Sequence, residues 1–193
     1  MIEDASMRWK EVVSAEDSPA LCLELLRRYV RDYAENAGAW SCLGLALMNL
    51  SQFEEAERAL LRSIEMSSPA GHLSGFFNLG TLFREKGDDV SAESWFRKAI
   101  DHSPDNTQGY IGLGALFARR GRLAEAEELH RRASRCKTGC IDEAYHNLGL
   151  VLRGQGRYEE ALRCFVEALK IDPQFKAARL AKRDVQHAIA AVM

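Results

Sequence analysis

The sequence YHNLGLVL at residues 145–152, followed by Ala161 and then by Phe165, is the clearest indication of the fold. The same order of residues recurs at Leu43-Gly44, Leu79-Gly80, Leu113-Gly114 and Leu148-Gly149. These pairs lie 36, 34 and 35 residues apart, and the alanines Ala56, Ala92, Ala126 and Ala161 keep the same spacing. A period of this length predicts stacked helical hairpins, whose function lies on a surface built by several copies rather than in one pocket.

A second marker separates each Leu-Gly pair from its alanine and gives the order helix, turn, helix. This marker is Ser51, Gly87, Gly121 or Gly156. Polar residues follow each of them, and an acidic stretch that contains alanine follows those. A glycine that ends one periodic run before acids open the next is typical of two helices joined by a tight turn. The predicted fold class is therefore all-α, built from antiparallel helix pairs.

Large residues accompany the small ones. An aromatic residue stands four positions before the glycine of each Leu-Gly pair, at Trp40, Phe76, Tyr110 and Tyr145. We interpret these aromatic side chains as the core partners of the small residues. The position four residues after each alanine is Leu60, Phe96, His130 or Phe165. His130 is therefore predicted to face the core of its hairpin.

These residues resemble the tetratricopeptide repeat (TPR), whose pattern is about 34 residues long. The second and fourth copies fit the pattern well, whereas the third departs from it at His130 and Thr138. The resemblance implies a right-handed α/α superhelical solenoid. We predict one domain over 1–193, with a degenerate N-terminal hairpin at 1–36, repeats at 37–72, 73–106, 107–141 and 142–175, and a capping helix at 176–193.

The degenerate N-terminal hairpin is predicted by counting back one repeat. This count places a helix near Asp4–Ala15, with Trp9 and Val13 facing inward. The second helix then opens at Pro19 in its first turn, with Ser18 as its cap.

The resemblance also implies a peptide-binding groove lined by the first helices of successive repeats. Carried over by position, the groove residues are Leu45, Met48, Asn49, Phe77, Asn78, Thr81, Arg84, Ile111, Arg119, His146, Asn147, Leu150 and Arg153. Such an apolar groove suits an extended or helical peptide segment of another protein. Some family members grip a chaperone's terminal carboxylate with a lysine and an asparagine. Ser41 and Leu45 stand at those places, so we do not expect that activity.

Two pairs of polar groove residues have alternative interpretations. Asn78 and Asn147 occupy the same repeat position, where an amide can pair with the backbone of a peptide or bond within its own array. Arg84 and Arg153 repeat at another position, where each can hold a carboxylate or remain a free surface residue.

The leading functional hypothesis is a non-enzymatic scaffold or adaptor that binds another protein. The alternative is a dedicated chaperone for a secretion or assembly subunit, and a homo-oligomeric structural module is the third hypothesis. Catalytic triads, phosphate loops and metal-spaced carboxylate pairs do not stand out from the repeat positions, so we predict no enzymatic activity and no cofactor.

Composition limits the remaining classes. A net charge of -2 gives no general attraction to nucleic acid. The uncharged stretch 36–53 contains Asn, Ser and Gln and belongs to a repeat, so we do not expect membrane insertion. The acidic start and the odd number of cysteines, five, favour a reducing compartment, and we expect a cytoplasmic protein.

One cluster invites a metal interpretation. Cys136 and Cys140 lie in a loop between repeats, with His130 and His146 six residues to either side. This spacing matches no common zinc site, and the two histidines belong to opposite walls of neighbouring hairpins. We therefore predict no metal, and a local disulfide is the other alternative for these cysteines.

Overall fold

A computed structural model describes residues 2–14 and 18–192. These residues form eleven α-helices, which confirms the predicted all-α class. The helices are α1 (Ile2–Ser14), α2 (Pro19–Asp32), α3 (Ala37–Asn49), α4 (Phe53–Met66), α5 (His72–Lys86), α6 (Asp89–His102), α7 (Thr107–Arg119), α8 (Leu123–Ala133), α9 (Ile141–Gly154), α10 (Tyr158–Ile171) and α11 (Lys176–Val192).

The helices belong to two compact units, Met1–Asp88 and Asp89–Met193, called unit 1 and unit 2 below. In unit 1 each helix contacts the next along the chain, and α3 also contacts α5. In unit 2 the same holds from α6 to α11, and α9 also contacts α7 and α11. The first helices α3 and α5 therefore lie side by side in unit 1, and so do α7 and α9 in unit 2.

The turn markers adopt the backbone conformation that the sequence predicts. Gly87, Gly121 and Gly156 have φ angles of 79°, 73° and 76°, which is the left-handed region that glycine enters without a steric penalty. Ser51 takes the same role with φ at 57°. A residue with a left-handed backbone conformation thus follows each of α3, α5, α7 and α9.

The hairpin cores join a small residue on the first helix to a large one on the second. A Cβ atom on Gly44 would lie 2.6 Å from the Leu60 side chain, and one on Gly149 would lie 2.5 Å from the Phe165 ring. Because interiors are packed to crystal-like density, these glycines have no room for a methyl group.

The predicted role of the aromatic residues needs correction. Tyr110 is buried, at 1% exposure, but Trp40, Phe76 and Tyr145 are only partly buried. Each aromatic residue lies on the same helix as its glycine, one turn away. The space beside the glycine is therefore filled by a side chain of the facing helix instead.

His130 fills this gap in the hairpin of α7 and α8, as predicted. Its ring lies 2.6 Å from where a Cβ atom on Gly114 would be, and the residue is 1% exposed. Its Nδ1 atom has no hydrogen-bond partner. Burial lowers the pKa of His130 from 6.5 to about 4, so the imidazole is neutral in the folded protein at pH 7.

The N-terminal hairpin differs from the prediction in one inward residue. Val12 is buried, whereas Val13 is 49% exposed, so the prediction for Val13 is wrong. Trp9 is partly buried and meets the Tyr29 ring edge-on at 5.2 Å. Counting back through an irregular connection misplaced the helix face by one residue, which rotates a helical side chain by about 100°.

The predicted start of α2 is confirmed, but its predicted cap is not. Pro19 is the first residue of α2, as predicted, but the Ser18 side chain makes no capping hydrogen bond. The predicted end of the first helix at Ala15 lies outside the described residues.

The loop between α8 and α9 is fastened to the loop before α7. The backbone N–H of Thr107 donates to the Thr138 carbonyl at 3.1 Å, and that of Lys137 donates to the Asp105 carbonyl at 3.0 Å. The Cys140 N–H donates to Thr107 Oγ1 at 2.9 Å. We call this pair of loops, residues 105–107 and 137–140, the loop clamp.

The cysteines and histidines are placed separately. The described cysteines are free: Cys136 is buried and Cys140 is exposed. Among residues 2–14 and 18–192, no three His, Cys, Asp or Glu side chains are grouped so as to hold a metal ion. Over the same residues, every helix falls short of the length and apolarity of a membrane span.

Candidate functional site

The first helices of unit 1 form a partly open cleft that contains three predicted groove residues. Met48 and Asn49 from α3 and Thr81 from α5 line it, and its volume is about 450 Å³. Leu45, one turn earlier on α3, is 39% exposed. We call the exposed side of α3 and α5 the unit 1 surface. It combines apolar side chains with a few polar atoms, which is the usual composition of a peptide-binding surface.

The polar groups of the unit 1 surface are partly engaged within the protein. Asn78 Nδ2 donates to Ser41 Oγ at 3.2 Å and so links α5 to α3. This bond agrees with the alternative in which the asparagine bonds within its own array. Arg84 donates to the Glu85 carboxylate at 3.1 Å. A carboxylate from a peptide would have to compete with Glu85 for this guanidinium group.

Thr81 is the least satisfied polar residue of the unit 1 surface. Its Oγ1 atom is buried and has no hydrogen-bond partner. A buried hydroxyl without a partner costs free energy, on the order of 1–3 kcal/mol. The repeat register places Thr81 on the groove but does not indicate the cleft residues Ser51 and Phe53, because these belong to the turn and to the second helix of the hairpin.

In unit 2 the predicted residues of α9 gather around His146. Its ring lies 4.9 Å from that of Phe175 and 5.8 Å from that of Phe165, centroid to centroid. Leu150 is partly buried against the core cluster that contains Phe165. Arg153 is exposed. We call the exposed side of α7 and α9 the unit 2 surface.

The electrostatics of α9 favour neutral forms. Burial lowers the pKa of His146, a hydrogen bond with Asn147 opposes this shift, and Arg153 adds to it. Burial and the neighbouring Asp142 raise the pKa of Glu143, which also bonds Asn147. Asn147 thus connects a histidine and a glutamate, and its amide has both donor and acceptor positions in use.

The predicted groove residues of α7 are the least available. Ile111 is 7% exposed and packs with Tyr110, Ala133, Cys136 and Ala144, so it belongs to the core and not to a surface. The buried Cys136 of the loop after α8 packs over it, which the repeat pattern does not reveal.

Arg119, the other predicted groove residue of α7, pairs with Asp89. Hydrogen bonds from Arg120 and Arg119 hold the pKa of the Asp89 carboxyl below its usual value.

Phe77, a predicted groove residue of α5 in unit 1, is partly buried.

Two protein-family models match the sequence. The tetratricopeptide repeat model matches residues 142–175. The model of the N-terminal domain of EccA1, a protein of the ESX-1 type VII secretion system (T7SS), matches residues 1–116, which is more than half of the chain. No curated protein matches the sequence at a significant level.

Solved structures of TPR proteins share the fold at low sequence identity. TTC0263 of Thermus thermophilus is 18% identical, with a TM-score of 0.74 over 94% of this chain and 98% of that one. Yeast Tom70 is 13% identical, with a TM-score of 0.82 over 95% of this chain and 39% of that one. YrrB, described as a TPR protein with an unusual peptide-binding site, is 18% identical, with a TM-score of 0.56 over 89% and 87%.

A TPR fold supports protein–protein interaction, and TPR proteins are generally scaffolds rather than enzymes. The chain is a tetratricopeptide repeat protein, and through its first 116 residues it belongs to the family of the EccA1 N-terminal domain.

Proposed function

We propose that this protein is an adaptor of a type VII secretion system and that it binds a partner polypeptide through the unit 1 and unit 2 surfaces. The observation that carries the proposal is the match of residues 1–116 to the N-terminal domain of the ESX-1 secretion protein EccA1. The match supports a role in secretion, and the TPR fold supports the binding of another protein.

The chemistry of the two surfaces supports a peptide partner. Leu45 offers an apolar contact on the unit 1 surface, and the partly buried Leu150 adds one on the unit 2 surface. Arg153 forms no salt bridge with any residue in the described part of the chain, so its guanidinium group is available to a carboxylate. An extended or helical segment with mixed apolar and acidic residues fits these groups.

The secretion context also supports the second candidate function, a chaperone dedicated to one secreted subunit. A chaperone holds its substrate in a stable complex and keeps it from aggregating, whereas an adaptor connects two partners without that effect. Light scattering of a heat-stressed secreted subunit, with and without an equimolar amount of this protein, separates the two functions.

A capture experiment tests the proposed surfaces. The immobilised chain is incubated with a lysate of a bacterium that carries an ESX-1 system, and bound proteins are quantified by mass spectrometry. The variant Leu45→Glu/Arg153→Glu alters both surfaces. Leu61→Glu/Arg183→Glu is the matched control, because Leu61 is 37% exposed on α4 and the change in charge is the same.

We expect the wild-type chain and the control to capture a component of the secretion system, and the surface variant to retain less than a tenth of it. Circular dichroism verifies that both variants are folded. Equal capture by all three proteins would refute the assignment of the surfaces. Capture without any secretion component would refute the secretion role.

A further inference from the structure

A second type of cleft lies on the other side of α3 in unit 1. It is formed between α2, α3 and α4 and has a volume of about 450 Å³. Its floor is apolar and includes Leu43 and Leu47, and Trp40 forms one wall. The charged residues around it are Arg27, Arg58, Arg62 and Glu55.

Unit 2 contains a cleft of the same construction. It lies between α8, α9 and α10, with a volume of about 350 Å³, and Tyr145 and Leu148 form its apolar part. The charged residues around it are Arg131, Arg135, Arg163 and Glu167. We call the two sites the arginine clefts.

The two arginine clefts use equivalent repeat positions. Trp40 and Tyr145 are 105 residues apart, and the same separation relates Leu43 to Leu148 and Arg58 to Arg163. The second and third copies carry Ser94 and Glu128 where the first and fourth carry these arginines. Since the buried repeat residues recur in all four copies, the fold does not require arginine at this position.

The arginines of each cleft differ in their salt bridges. Among the lining residues of each site three arginines stand beside one glutamate, but two of these arginines are paired with glutamates beyond the lining, Arg62 with Glu65 at 2.9 Å and Arg131 with Glu127 at 2.8 Å. Glu55 is bonded to Arg27 at 2.7 Å, and Glu167 is bonded to Lys170 at 2.7 Å, outside the cleft. Arg58 and Arg163 form no salt bridge with any described residue. The equivalent arginine of each cleft is thus available to an anion.

We propose that each arginine cleft binds an acidic segment of a partner protein. An apolar or aromatic side chain of the segment would rest against Trp40 or Tyr145, and a neighbouring carboxylate would bond the guanidinium groups. Arginine suits this role because its planar group binds carboxylates through two parallel hydrogen bonds and also stacks on aromatic rings.

This site goes beyond the proposed function, because it uses a different helix face. On α3, Trp40, Leu43 and Leu47 are spaced three and four residues apart and share one face, whereas Leu45 and Met48 of the unit 1 surface point about 100° or more away from it. The two interactions can therefore be tested independently.

The test uses the full chain and a fluorescein-labelled decapeptide of alternating glutamate and tyrosine. Fluorescence anisotropy gives the affinity, and calorimetry gives the stoichiometry. The variants are Arg58→Glu, Arg163→Glu and the double variant. The matched control is Arg28→Glu/Arg183→Glu, which has the same charge as the double variant but changes exposed residues on α2 and α11 that lie outside the arginine clefts.

We expect two peptides to bind the wild-type chain and one to bind each single variant. The double variant should bind at least tenfold more weakly than the wild type, and the control should stay within twofold of it. A decapeptide of alternating serine and tyrosine should bind at least tenfold more weakly, because it lacks the carboxylates. The Leu45→Glu/Arg153→Glu variant should bind like the wild type.

Several results would overturn the proposal. If the control loses as much affinity as the double variant, only general charge attracts the peptide. If the serine peptide binds equally well, the carboxylates are not recognised. If the Leu45→Glu/Arg153→Glu variant no longer binds the peptide, the peptide binds the unit 1 and unit 2 surfaces and not the arginine clefts. If the chain binds phosphatidylserine vesicles instead of the acidic peptide, and the double variant loses this binding, Arg58 and Arg163 bind a membrane surface.

Discussion

At the scale of single residues, His130 shows how one substitution in a repeat changes the chemistry of a core. The equivalent positions hold Leu60, Phe96 and Phe165, which are apolar and fully buried. His130 occupies the same space with a polar ring whose Nδ1 atom lacks a partner. The sequence pattern predicts this placement, because the histidine falls in register with the other three residues. It does not predict the missing hydrogen bond, which depends on the neighbours in three dimensions.

The buried histidine makes stability depend on pH. The folded pKa of His130 is about 4, and that of an unfolded histidine is 6.5. Between these values the unfolded chain binds a proton that the folded chain does not, so stability falls as the pH drops from 6.5 to 4, by up to about 3 kcal/mol. We predict that His130→Leu removes this loss and raises stability at pH 7 by about 1–2 kcal/mol.

Urea denaturation between pH 4 and pH 8 measures this effect. The control is His187→Leu, which replaces an exposed histidine of α11 and whose acid slope is compared with that of His130→Leu. An unaltered acid slope in His130→Leu would show that other groups cause it.

The glycines of α9 give a matched pair of variants in one helix. A Cβ atom on Gly149 would lie 2.5 Å from the Phe165 ring, whereas one on Gly154 would lie 3.8 Å from Leu123. We predict that Gly149→Ala destabilises the protein by about 1–3 kcal/mol through overpacking. Gly154→Ala should be neutral or should stabilise by up to about 1 kcal/mol, since alanine favours helix. Thermal unfolding of both variants decides the matter, and equal effects would contradict the packing account.

At the scale of elements, the helices and turns could be predicted but the loop clamp could not. Hairpin boundaries follow from a period that recurs four times, and Gly87, Gly121 and Gly156 mark each turn in sequence. The loop clamp joins Thr107 to a loop more than 30 residues later, and no periodic pattern connects them. The prediction for Ile111 is wrong for the same reason: Cys136 of the loop after α8 joins the cluster that buries it, and no recurring residue of the repeat indicates this contact.

We predict that Thr107→Val weakens the loop clamp. Thr107 is fully buried, and its Oγ1 accepts the Cys140 N–H at 2.9 Å. Valine keeps the shape but leaves this N–H without an acceptor, which should cost about 1–3 kcal/mol. Amide exchange of Cys140 and Lys137 should become faster, while that of α10 should change only with global stability. Unchanged exchange in the loop would mean that the Thr107 hydroxyl does not hold it.

At the scale of the whole molecule, repetition and variation separate scaffold from recognition. The buried Leu-Gly and alanine markers recur in every copy, and they specify the helix pairs. The exposed positions differ between copies, as Arg58, Ser94, Glu128 and Arg163 illustrate. The repeat register predicts the candidate surfaces, and this stays a prediction; it does not indicate their internal bonds. The contacts of Asn78 with Ser41 and of Arg119 with Asp89 are long-range and specific to this chain.

In the proposed function, a secretion-system partner binds the unit 1 and unit 2 surfaces. Hydrogen–deuterium exchange of the full chain, alone and with the captured partner, tests it most directly. We predict added protection on α3, α5 and α9, centred on residues near Leu45, Thr81 and Asn147, and little change on α4 and α10. Protection confined to α2, α4, α8 and α10 would contradict the claim and place the partner in the arginine clefts instead.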